Sequence, residues 1–79
     1  MATDAKLTEA LALLEHGDWQ QAHGIVQQHE TEYAAWLHGI VHVLEGDLDN
    51  ARYWYQRAKR TFSPDAKAEL AAARGALTT

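Results

Sequence analysis

With 79 residues, no cysteine, and 7 Lys+Arg against 11 Asp+Glu for a formal charge of −4, the chain is sized for one domain and excludes disulfide staples and thiolate zinc sites. The acidic balance opposes non-specific attraction to phosphates, so no nucleic acid is expected as partner. The N-terminal residues lack the basic start and apolar stretch of a signal peptide, and no apolar run approaches the ~20 residues of a membrane span, so a cytoplasmic protein without membrane contact is expected.

The sole proline is Pro64 and no alternating β-branched stretch is present, so the pattern predicts an all-α fold. In chain order, Leu7, Ala10, Leu11 and Leu14 recur at i, i+3, i+4, i+7, and Gly17 follows where a helix closes on a left-handed residue. Asp18 is placed to cap a second helix, whose apolar positions Trp19, Ala22, Ile25 and Val26 run toward His29. A third begins at about Thr31 and carries Tyr33, Trp36, Leu37, Ile40, Val41, Val43 and Leu44 as far as Gly46. Its apolar residues sweep about 160° of circumference. Asp47 repeats the cap, and a fourth helix runs through Ala51, Trp54, Tyr55, Ala58 and Phe62. Ser63-Pro64-Asp65 supplies an N-cap, a first-turn proline and an acid for a fifth, from Lys67 to about Arg74, closing near Gly75.

The segment Leu14 to Ala22 aligns without a gap on Val43 to Ala51, the glycines standing 29 residues apart. Each unit reads helix, Gly-Asp turn, helix, and the tight junction folds the second helix back on the first. The residues at these positions resemble the tetratricopeptide repeat. Gly39 stands at the family's helix-contact glycine, Gly46-Asp47 at its turn, and Ala51, Tyr55 and Ala58 at the contact positions of the second helix. Ala10, Gly17-Asp18-Trp19, Ala22 and Val26 are the counterparts in the first unit. The segment from Trp36 to Tyr55 is also similar to short bacterial proteins of unassigned activity. The resemblance implies two antiparallel hairpins, over residues 4–30 and 31–62, and a capping helix over 64–75, together one domain of 1–79. It further implies that Gly17, Asp18, Gly46 and Asp47 are structural turn residues. His38 and His42 stand where the family prefers leucine and tyrosine.

His38, His42 and Glu45 recur at i, i+4, i+7 and share a stripe within about 60° of the helix circumference. Two imidazoles one turn apart can chelate zinc or a similar divalent metal, with the carboxylate as third ligand. The competing readings are imidazoles bonded within the core to Tyr55 or a carboxylate, or a polar cleft for a small ligand. His16, His23 and His29 share no ligand spacing and are expected at the surface or at helix ends.

Tyr53-Trp54-Tyr55 spans about 200° of a helix, so the three rings cannot all enter one small core. In the repeat register Tyr55 is the core residue, and Tyr53 or Trp54, with Arg57 and Arg52, points outward as a patch suited to protein contact. The basic run Arg52, Arg57, Lys59 and Arg60 reads as a solvated face. No nucleophile with a base, no phosphate loop and no obvious pocket supports catalysis. The leading expectation is a non-catalytic interaction module of tetratricopeptide type without a cofactor, binding a protein, a peptide or a second copy as a homodimer. The alternative is a metal- or small-ligand-binding protein, extending to an enzyme, that uses His38, His42 and Glu45.

Overall fold

The computed structural model describes residues 5–77. Among them it forms five helices and no strand: α1 (Ala5–Glu15), α2 (Trp19–Val26), α3 (Glu32–Glu45), α4 (Leu48–Arg57) and α5 (Ala66–Leu77). The chain is thus all-α; Asp4, where the first hairpin is expected to start, lies outside the described residues. No helix among them is long and apolar enough to cross a membrane.

Helix boundaries follow from capping chemistry. The free N–H groups at each start need an acceptor. Asp18 accepts from Gln21 N, Thr31 from Ala34 N and Asp47 from Asn50 N. At the other ends, Gly17 (φ 85°) and Gly46 (φ 94°) take the left-handed conformation. The following amides reach back, Asp18 N to Leu13 O and Asp47 N to His42 O, in the paired pattern of a Schellman motif.

The same motif closes α4 where the composition gives no signal. Lys59 has φ 61°, and Arg60 N donates to Tyr55 O at 3.1 Å. The fourth helix therefore stops at Arg57 and does not reach Phe62. The turn lets the Arg60 guanidinium lie over the Trp36 ring at 3.5 Å and sets Phe62 edge-on to Tyr55, centroids 5.4 Å apart.

Three other boundaries differ from expectation. The second helix ends at Val26, its last buried residue, and not at His29; Gln27 and Gln28 beyond it are exposed. The fifth is capped by Asp65, which accepts from Ala68 N, while Ser63 Oγ takes the Asp65 amide instead. Pro64 thus precedes the helix. Gly75 does not end it either, because the helix continues to Leu77, whose side chain packs on the core.

The core is organised around α3, which touches all four other helices. Every residue from Ala34 to His42 is buried. Against α4 and the turn that follows it the contacts run in opposite senses: Gly39 meets Tyr55, Trp36 meets Arg60, and Glu32 pairs with Lys59 at 3.2 Å. Gly39 permits this approach, since a Cβ there would lie 2.5 Å from Tyr55 Cδ1 and 2.7 Å from Cε1.

Helix α5 is fastened by Glu69 Oε1, which accepts from Tyr55 OH at 2.8 Å and Trp36 Nε1 at 3.1 Å. Burial, and then the Glu69 carboxylate, push the Tyr55 phenol above its ordinary pKa and keep it a donor. Tyr33 OH donates to Ala73 O. Arg74 ties α5 to Glu15 of α1 and holds that carboxyl below its ordinary range.

Candidate metal centre

The packing of α2 on α3 assembles what no single helix holds. His38 and His42 project from α3 at 5% and 6% exposure. His23 enters from α2, carried there because its neighbour Ala22 is a fully buried contact of that helix. His23 Nε2 and His38 Nε2 are 3.1 Å apart. The ring centroids of His23 lie 4.8 Å from His38 and 5.4 Å from His42, and His38 to His42 is 5.1 Å. One ligand atom from each of the three falls within 4.8 Å of the others.

This corrects two expectations. His23 does lie in the last turn of α2, but it is partly buried and is the third member of the cluster rather than a surface residue. Glu45 is not positioned as the third ligand: its Oε1 accepts from His42 Nδ1 at 2.7 Å. An ionised carboxylate has no hydrogen to give, so in this contact His42 Nδ1 is the donor. A carboxylate behind a histidine in this way orients the ring and raises its basicity toward a metal. Glu45 and Asp47 also form a second, exposed grouping with His42.

The remaining wall comes from α4. The indole of Trp54 stacks on His38 with centroids 3.8 Å apart and planes at 8°. The histidine stripe therefore faces α4, as expected, and α2 as well. Burial, with His23 and His42 alongside, lowers the His38 pKa to about 4, so the ring is neutral near pH 7 and its lone pair is available. Tyr55, a candidate partner for these rings, is instead engaged with Glu69.

Tetrahedral coordination requires little change at the closest pair. Two nitrogens bound to zinc at ~2.05 Å stand ~3.3 Å apart, against 3.1 Å between His23 and His38. For both Nε2 atoms to face one ion the hydrogen between them would have to leave, the donor ring's proton moving from Nε2 to Nδ1.

The aromatic run divides as its spacing demands. Tyr55 is core at 1% exposure and Tyr53 is the outward ring at 48%. Arg57 Nη1 donates to Tyr53 OH at 2.8 Å, and its guanidinium lies 5.3 Å from the Trp54 centroid. Tyr53, Trp54 and Arg57 are thus brought together. Arg52 is not with them, sitting 4.8 Å over the Phe62 ring and 3.4 Å from Asp49. The basic run of the sequence disperses, each cation serving a different neighbour.

A surface groove of about 440 Å³ lies along Lys59, Arg60, Thr61, Phe62, Ser63 and Glu69. Its charged groups already have partners, Lys59 in Glu32, Arg60 in the Trp36 face and Glu69 in Tyr55 and Trp36. Comparison with protein-family models, with curated proteins and with solved structures gave no match.

Proposed function

We propose that this chain is a small helical metal-binding protein, holding one divalent transition-metal ion on His23, His38 and His42, with Glu45 as the outer carboxylate that aims His42. The observation that carries the reading is the convergence of three imidazoles from two helices on one point, two of them buried and one fixed by a carboxylate. Imidazole donors suit zinc, copper, nickel or iron, not magnesium or calcium. The test is a thermal melt with a chelator, with Zn²⁺ and with Ni²⁺. Metal at 100 times its dissociation constant stabilises the native state by about 2.7 kcal/mol, which moves the midpoint of a domain this size by more than about 10 °C. Equal midpoints under all conditions would refute the reading.

A second reading, a protein- or peptide-binding role for α4, is favoured by Tyr53, a half-exposed ring whose hydroxyl accepts from Arg57. It is compatible with the first. If a second copy is the partner, sedimentation shows a dimer that Tyr53→Ala weakens by about 2 kcal/mol; a monomer at every concentration removes the homodimer.

A further inference from the structure

Resting on the metal-binding reading, we infer that the ion keeps one coordination position open, and that the ligand class entering it is the small anion, hydroxide and azide among them. Structural zinc sites are closed by four protein donors, whereas sites that work on an exogenous ligand have three and leave the fourth position to water or substrate. The census of donors falls on the second side. Among the described residues, the group containing His23, His38 and His42 has no fourth histidine, cysteine or carboxylate within reach of all three.

The nearest carboxylate that could close the shell is Glu45, and it is occupied. Its Oε1 holds the Nδ1 hydrogen of His42, so turning it onto the ion would abandon the bond that aims a ligand. Helix α4 cannot supply the fourth donor from the other side of His38, because the indole of Trp54 lies flat against that ring. On the remaining side stands His23, the least buried of the three rings, and the approach for a solvent ligand lies beside it.

The donor set also dictates the sign of the ligand. Three neutral imidazoles leave the full double charge on the ion, and the nearby carboxylates, Glu45 and Asp47, stand behind His42 and are not in the three-histidine group. A cation in a half-buried site, with its charge uncancelled by its own ligands, draws an anion into the vacant position or lowers the pKa of a bound water to about 7.

Cobalt(II) is the probe, since its visible bands report coordination number and ligand exchange. The full chain, freed of metal by a chelator and loaded with one equivalent of Co²⁺, is titrated with sodium azide. The expected result is a saturable change of the bands at one azide per ion, reversed by dialysis. Cobalt bound with bands indifferent to azide would overturn the inference while leaving the metal-binding reading intact. The same holds if only the Glu45→Gln chain responds, for Glu45 would then be the fourth ligand of a closed site. A chain that takes up no Co²⁺ at all overturns the metal-binding reading and this inference with it.

Discussion

The indole of Trp54 lies flat on the imidazole of His38, with ring centroids 3.8 Å apart and planes at 8°. Through this contact α4 seals one face of the histidine cluster, and the cluster in turn supports a half-buried tryptophan. Trp54→Ala removes the stack and part of the wall. It is expected to cost about 2 kcal/mol, between the 0.5–1.5 kcal/mol of an aromatic pair and the 3–5 kcal/mol of a fully buried ring. Urea unfolding followed by far-ultraviolet circular dichroism measures it; an unchanged midpoint would show that the ring contributes nothing.

The same burial makes the metal-free protein acid-sensitive. The His38 pKa is lowered to about 4 in the folded chain from an ordinary value of 6.5, so the unfolded chain binds the proton more readily across that interval. Stability from this group is complete above pH 6.5 and declines as the pH falls toward 4. Melting midpoints in chelator, taken from pH 7.5 downward, should fall through this window, and His38→Gln should flatten the decline. A native profile that is level between pH 6.5 and 4 would contradict the burial of an unprotonated ring.

Gly39 allows α3 and α4 to touch, and its replacement tests that contact. In Gly39→Ala the new Cβ would stand 2.5 Å from the Tyr55 ring, and that ring is fixed on its far side by Glu69. Relief requires the helices to part. The expected loss is about 1–3 kcal/mol, the range for overpacked cores, although alanine is otherwise the better helix former. A stability equal to or above that of the native chain would place the two helices further apart than described.

The left-handed ends predict opposite signs for opposite substitutions. Lys59 adopts φ 61° with a side chain that glycine would not carry, so Lys59→Gly should stabilise by about 1 kcal/mol. The exposed pair it forgoes with Glu32 contributes at most about 1 kcal/mol. Gly46 has φ 94° and open space around it, so Gly46→Ala meets backbone strain alone and should destabilise by about 1 kcal/mol. Thermal melts of both variants check the pair; the same sign for both would mean that one of the turns is drawn wrongly.

What the sequence disclosed depended on how local the determinant was. The Gly17-Asp18 and Gly46-Asp47 turns are legible because the left-handed residue and the cap are adjacent. The Lys59 turn is not, since it depends on Arg60 reaching Trp36 and Phe62 reaching Tyr55, partners set by tertiary packing. His38 and His42 announce themselves one helical turn apart. His23 does not, being 15 residues from His38 and brought to it only by the way α2 crosses α3. A faint signal existed in its place beside Ala22 and one turn before Val26, the buried residues of α2. Glu45 was legible as a member of the stripe. Its role was not, because spacing alone does not tell a carboxylate that binds a metal from one that holds the ligand's far nitrogen.

Zinc titration calorimetry at neutral pH on the native, His23→Ala and Glu45→Gln chains tests the assembled three-histidine centre most directly. The native chain should take up one ion, His23→Ala should lose the tight event, and Glu45→Gln should keep the stoichiometry with affinity reduced about 10–100-fold, as for an outer-shell partner. Native-like binding by His23→Ala together with its loss in Glu45→Gln would return the site to the single-helix stripe, and the absence of any binding by the native chain would contradict the metal centre altogether.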